Sequence, residues 1–172
     1  MAFTQEEYSR WYITQALFKL MSEYEFKKIN VTDIVAKAGV GRATFYRYFK
    51  NKEDVIIYYF ERYTKEFVFT QRYCPRCRED YINLVKNILN MFKKQIEPFR
   101  LIQKAKLEYI YLNYLNTNFV GLFENDYPDE NIYKPYIYSG MLFNVSMKWL
   151  DDGCDESVDT LAEMIVSSIY SR

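Results

Sequence analysis

The chain has 172 residues, 49% of them apolar and 19% aromatic, and its 23 basic and 23 acidic side chains cancel. That is enough apolar material to bury the core of one or two small domains, and it excludes a disordered chain. Histidine, the commonest general base, is missing, and three cysteines make an odd count that argues against a secreted disulfide scaffold.

In chain order, Thr4-Gln5-Glu6-Glu7 reads as a capping box. The helix it opens carries Trp11, Ile13, Ala16, Leu17, Leu20, Met21 and Tyr24 at helical spacing, with its aromatics expected in the core. Residues 26–55 then read as two short helices joined by a tight turn, and the start of a third. Thr32 is the expected N-cap of the first, with Asp33 in its first turn where negative charge suits the dipole. Ile34, Val35 and Ala38 supply its apolar face, and Gly39 is the expected left-handed residue at its end. The second helix is expected from about Arg42 to Phe49. Asn51 caps the third, which runs to about Thr70 with Val55, Ile56, Tyr59, Phe60, Tyr63, Phe67 and Val68 as its apolar positions. Helix, glycine-containing turn, helix is the layout that places a recognition helix in the DNA major groove.

Charge agrees with that layout. Lys27, Lys28, Lys37, Arg42, Arg47, Lys50 and Lys52 face one acid, Asp33, between Phe26 and Lys52. One basic face on a neutral chain suits phosphate neutralisation at a single surface. A lysine at position 52 opposes the dipole of the helix it begins, so the sequence gives folding no reason for it and points to a bound phosphate.

The stretches VTDIVAKAGV, RATFYRYF and NKEDV, in register over the first third of the chain, resemble the DNA-binding domain of the TetR family of bacterial transcriptional regulators. Two positions depart from the usual pattern: Gly41 where a serine usually caps the recognition helix, and Glu25 where a glycine often ends the first helix. The resemblance implies DNA contact by Thr32, Arg42, Ala43, Thr44, Tyr46, Arg47, Tyr48, Lys50 and Lys52. Arginine is the usual bidentate reader of guanine, and threonine can touch a thymine methyl or a phosphate. Tyr46, Tyr48 and Lys52 are expected on the backbone, where contacts position without specifying.

Beyond Thr70, Pro75 breaks the pattern in a loop from Gln71 to Glu79. Helices are expected over Tyr81–Ile96 and, after Pro98, from Phe99 to about Asn116, with a short helical segment at Phe119–Phe123 and a loop at Asn125–Asp129. Pro135 fits the first turn of a helix to about Asp151 that is apolar nearly all round, with Gly153 at its end. Ser157 caps a last helix with a stripe of Val158, Leu161, Ala162, Ile165, Val166 and Ile169. MKWLDDGCDES also resembles the turn between the last two helices of some TetR-family members. From Val120 to Arg172, ten acids against three bases make an end that DNA repels.

The expected fold is therefore all-α: a helix-turn-helix DNA-binding domain over residues 1–52 and a helical dimerisation and regulatory domain over 53–172. Its expected function is a homodimeric repressor on a palindromic operator in double-stranded DNA. Ile137, Met141, Val145, Trp149, Leu161, Ile165 and Ile169 are the expected dimer contacts. Phe92, Tyr109, Tyr111 and Phe143 are the expected lining of a pocket for a small apolar or aromatic effector, the alternative being control by a protein partner. No glycine-rich phosphate loop, nucleophile elbow or metal-spaced carboxylate set is present, so neither an enzyme nor a cofactor is expected. Cys74 and Cys77 have the spacing of a zinc knuckle or redox dithiol, but zinc needs four ligands and only Cys154 remains, so no metal is expected. Without a leader or a membrane-spanning run, the chain is expected in the cytoplasm and off the membrane.

Overall fold

The computed structural model describes residues 4–70, 77–126 and 131–169, apart from the side chains of 65–70 and 119–126. Cys74, Pro75, Pro128 and the side chains of Phe67 and Val68 lie outside the described residues. Among the described residues there are nine α-helices and no strand: α1 Gln5–Glu23, α2 Val31–Ala38, α3 Arg42–Tyr48, α4 Lys52–Thr70, α5 Arg78–Lys94, α6 Ile96–Lys104, α7 Glu108–Asp126, α8 Lys134–Asp151 and α9 Val158–Ile169. A 3-10 turn, Phe26–Lys28, separates α1 from α2. None of these helices is long and apolar enough to cross a membrane.

The chain divides into two compact units, Met1–Thr64 with Leu101–Ile110, and Lys65–Arg100 with Tyr111–Arg172. In the first, the Thr4 hydroxyl accepts from the Glu7 amide at 3.2 Å, and the Glu7 carboxylate accepts from the Thr4 amide at 2.8 Å. This is the expected capping box. Donation from the Thr4 amide and the Thr4 hydroxyl holds the Glu7 carboxyl below its ordinary range. α1 then buries Ile13, Leu17, Leu20 and Met21 against α2 and α3. Its aromatics divide: Phe18 is buried, ring to ring with Tyr59 at 4.7 Å, but Tyr8, Tyr12 and Tyr24 are exposed, against the expectation that they are core.

In the second unit α5 lies against α9, sealed by Ile82, Val85, Leu89, Trp149, Leu161, Ala162, Ile165 and Val166. Ion pairs flank the seam, Arg78 to Glu163 at 2.6 Å and Lys86 to Asp159 at 2.7 Å. The Ser157 hydroxyl caps α9 as expected, accepting from the Thr160 amide at 3.1 Å. Gly153 is left-handed as expected, and the indole N–H of Trp149 donates to the Glu156 carbonyl at 2.9 Å across the turn.

The single helix expected from Phe99 to Asn116 is two helices. α6 starts earlier, at Ile96, with Pro98 in its first turn, where a missing N–H is no loss. It stops at Lys104 because Lys106 turns left-handed, φ 58°, and the Leu107 amide donates back to the Ile102 carbonyl at 3.0 Å. Further on, α7 runs unbroken through 119–123 to Asp126.

Candidate nucleic-acid interface

The segment from Asn30 to Asn51 is shaped by its turns. α2 is capped by Asn30, not by Thr32 as expected. The Asn30 side-chain oxygen accepts from the Asp33 amide at 3.1 Å, and the Asp33 carboxylate accepts from the Asn30 amide at 2.9 Å. Asp33 lies three residues past Asn30, so this box closes, and Thr32 sits exposed inside the helix. At the other end Gly39 has φ 68°, and the Val40 amide donates to the Val35 carbonyl at 3.1 Å. That left-handed glycine turns the chain from α2 into α3. The Gly41 carbonyl accepts from the Thr44 and Phe45 amides at 3.0 and 3.2 Å, starting α3 without a side-chain cap.

α3 has two distinct sides. Phe45 and Phe49 point inward, fully or nearly fully buried with ring centroids 5.7 Å apart. Arg42, Ala43, Tyr46 and Arg47 are exposed, Tyr46 at 52%, and Lys50 is exposed just past the helix. Thr44 and Tyr48 are half-buried at the border. An exposed tyrosine on a short, otherwise polar face has no core to serve. Of the basic stretch, Lys28 pairs with Glu25 at 3.1 Å and Lys37 lies 4.0 Å from Glu23. Among the described residues Arg42, Arg47 and Lys50 pair with no carboxylate. Three unneutralised cations on one edge are a surface for a polyanion, and the guanidiniums among them present the planar donor fork that reads guanine or phosphate.

Two cations of the unit serve the fold instead. The ammonium of Lys52 donates to the carbonyls of Phe26 and Ile29, the second at 2.8 Å, and lies 4.1 Å from the centre of the Phe26 ring. This corrects the expectation that folding offers no reason for a lysine there: the acceptors lie 26 and 23 residues upstream, where no local pattern shows them. Burial pulls the Lys52 ammonium below the ordinary lysine range, with the neighbouring Glu53 opposing. The Arg10 guanidinium lies over the rings of Tyr48 and Tyr58, at 5.5 and 5.1 Å, and so covers part of the half-buried Tyr48. The N-terminus of α4 is closed by Asn51, whose side chain accepts from the Asp54 amide at 2.8 Å.

Residues 13–59 match the family model for bacterial regulatory proteins of the tetR family. The chain carries a TetR-family DNA-binding domain. The cationic edge of α3 lies within the matched segment. Solved structures share the fold over nearly the whole length. Lin0861 from Listeria innocua superposes with a TM-score of 0.82 at 20% identity, covering 98% of this chain and 93% of that one. A TetR transcriptional regulator from Streptococcus agalactiae gives 0.59 at 17% identity, covering 97% and 96%. FadR from Bacillus subtilis, solved in complex with stearoyl-CoA, gives 0.58 at 18% identity, covering 94% and 97%. A comparison with curated proteins finds no match.

Outside the matched segment, the remaining candidates are placed unevenly. Phe92, Tyr111 and Phe143 come together in the second unit: Phe92 and Tyr111 are 5.5 Å apart and Tyr111 and Phe143 6.2 Å. Phe99, which sequence reasoning missed, completes the cluster at 4.6 Å from Phe92 and 5.4 Å from Tyr111. Burial raises the Tyr111 phenol above its ordinary range. Tyr109 is excluded from the cluster: two residues before Tyr111 on the same helix, it faces the other way and is 54% exposed. The expected dimer stripe is also largely spent within one protomer. Trp149, Leu161 and Ile165 are buried in the α5–α9 core, and Met141, Val145 and Ile169 pack against it. Of that set Ile137 is the most exposed, at 60%, and Met141, Val145 and Ile169 are half-buried. Tyr133 and Tyr136 on and before α8, and Met164 on α9, are exposed apolar residues the stripe did not include. Cys77 is free and exposed and Cys154 free and half-buried. Among the described residues no cluster of three metal-ligating side chains occurs.

Proposed function

We propose that the chain is a homodimeric, cytoplasmic repressor that reads a palindromic operator through the outer face of α3 and is released by a small apolar effector. Residues 1–52 read DNA and residues 53–172 dimerise and sense; the protein binds and switches and does not catalyse. The observation that carries the reading is the face formed by Arg42, Tyr46 and Arg47, with Lys50 beside it, cationic and unpaired with any carboxylate among the described residues. Arg42 is the base reader, with Thr44 and Ala43 beside it; Thr32, Tyr46, Arg47 and Lys50 hold the backbone. Dimerisation uses Ile137, Tyr133 and Met164, apolar side chains more than half exposed in one protomer.

The effector reading draws on the cluster of Phe92, Phe99, Tyr111 and Phe143 and on the acyl-CoA bound by B. subtilis FadR. A ligand acts only if it binds the DNA-incompetent form more tightly, and a coupling of about 1–3 kcal/mol lowers operator affinity roughly 5–150-fold. One observation favours the rival, a protein partner with no small ligand: the rings of Phe92, Phe99 and Tyr111 pack on one another, as in a filled core.

The test starts with selection from a random duplex library. A two-fold symmetric consensus, lost on Arg42→Ala, is the expected outcome; an asymmetric or absent consensus contradicts the reading. Long-chain acyl-CoAs and free fatty acids are then screened by thermal shift, and each hit is added to the operator complex. Hits that stabilise the protein and leave operator affinity unchanged overturn effector release. If none binds, the protein-partner reading takes over.

A further inference from the structure

Lys52 is the first residue of α4, a position where its charge opposes the helix dipole. Asn51 already satisfies one amide of that turn, and Glu53 and Asp54 supply the negative charge it favours. The lysine therefore contributes nothing to the start of its own helix. Its ammonium reaches instead to the end of another element. Phe26 and Ile29 are the first residue and the C-cap of the 3-10 turn: the Phe26 carbonyl closes the turn by accepting from the Ile29 amide at 3.2 Å and takes the ammonium as a second donor, while the Ile29 carbonyl lies past the end of the turn. A cation at that end matches the dipole there, and the two carbonyls take two of its three N–H donors. The Phe26 ring, itself buried, covers the ammonium at 4.1 Å.

The residue after Ile29 is Asn30, the cap of α2. Lys52 thus joins the start of α2 to the start of α4, the two ends of the segment that holds α3. We propose that Lys52 is a positioning residue for DNA recognition, a clasp across the helix-turn-helix, and not a phosphate contact. The inference rests on the reading that the outer face of α3 binds DNA. Loss of the clasp frees the chain at Phe26–Asn30, lets α2 start in more than one orientation and blurs the placement of α3. Specific and non-specific DNA are then weakened alike, with no phosphate contact removed.

The experiment compares the full-length protein with Lys52→Met, which removes both donors and charge, and Lys52→Gln, which keeps amide donors without charge. Binding to a generic DNA duplex is followed by fluorescence anisotropy over a salt series, and amide exchange is followed by mass spectrometry on the free proteins. Lys52→Met is expected to weaken binding by a factor of about 3–10 at every salt concentration, with the slope of log affinity against log salt unchanged. Exchange in Lys52→Met should accelerate over residues 26–38 and stay unchanged in α5 and α9, a pattern that a general loss of stability does not give. Lys52→Gln should fall between Met and wild type in exchange and keep the wild-type slope, and it carries the test if the Met variant fails to fold. A slope shallower by about 0.9 in either variant, with wild-type exchange over 26–38, is the signature of a lost phosphate contact and overturns the clasp. Wild-type exchange at 26–38 in both variants overturns it whatever the DNA result. A wild-type protein that binds no duplex contradicts the α3 reading, and the exchange arm still decides on the clasp.

Discussion

The turn after α2 and the turn after α6 close with the same pair of hydrogen bonds. In the first, Gly39 donates to Ala36 and Val40 to Val35; in the second, Lys106 donates to Gln103 and Leu107 to Ile102. The backbone at the pivot is nearly the same, φ 68° at Gly39 and 58° at Lys106. The two differ in how each conformation is held. Glycine adopts the left-handed region without a Cβ penalty, so the first turn is written in the residue that makes it. Lysine does not, and the second turn is held by its neighbour: Leu107 is buried beside it. A turn specified by its own residue can be read from a sequence, and one imposed by packing cannot.

The strongest way to break this comparison is Leu107→Ala. If packing holds the second turn, denaturant unfolding should show a loss of about 2–4 kcal/mol, in the range for a buried leucine. Gly39→Ala comes next: a Cβ there meets no neighbour within 4 Å, so the expected loss of about 1–2 kcal/mol is backbone strain alone. Lys106→Gly should go the other way, gaining about 0.5–1 kcal/mol as strain relieved exceeds the entropy glycine adds to the unfolded chain. A loss on Lys106→Gly shows that the lysine side chain itself holds the turn and dissolves the contrast. The smallest effect is at Gly41, where a Cβ also meets open space. Gly41→Ser should add an N-cap and a few tenths of a kcal/mol, seen as a small rise in the denaturation midpoint.

The same division explains what was legible. Thr4, Gly39, Asn51, Gly153 and Ser157 act within a few residues of themselves, and each marks the end the sequence assigned to it. Asn30 was legible and passed over: the acid that completes a capping box sits three residues past the cap, which selects Asn30 over Thr32. Lys52 was not legible, because its partners are carbonyls far upstream and every residue has a carbonyl. The share of the dimer stripe that is buried within one protomer was hidden for a related reason. Periodicity shows that Leu161 and Ile165 share an apolar face, but not whether that face meets α5 of the same chain or another protomer. The exposed cationic face of α3 was easier to read because charge and exposure coincide on so short a helix: Arg42, Tyr46 and Arg47 have nowhere inward to go once Phe45 and Phe49 have taken that side.

The central claim is that the outer face of α3 is where this protein meets DNA. The measurement that tests it most directly is the salt dependence of duplex binding by the wild type and by an Arg47→Ala, Lys50→Ala double variant, with folding checked by thermal melting. Both side chains are exposed and unpaired with carboxylates among the described residues, so the melting temperature should hold. The account predicts weaker binding to every sequence and a slope of log affinity against log salt shallower by about 1.8, two phosphate contacts' worth. An equal slope and equal affinity in the two proteins would contradict it.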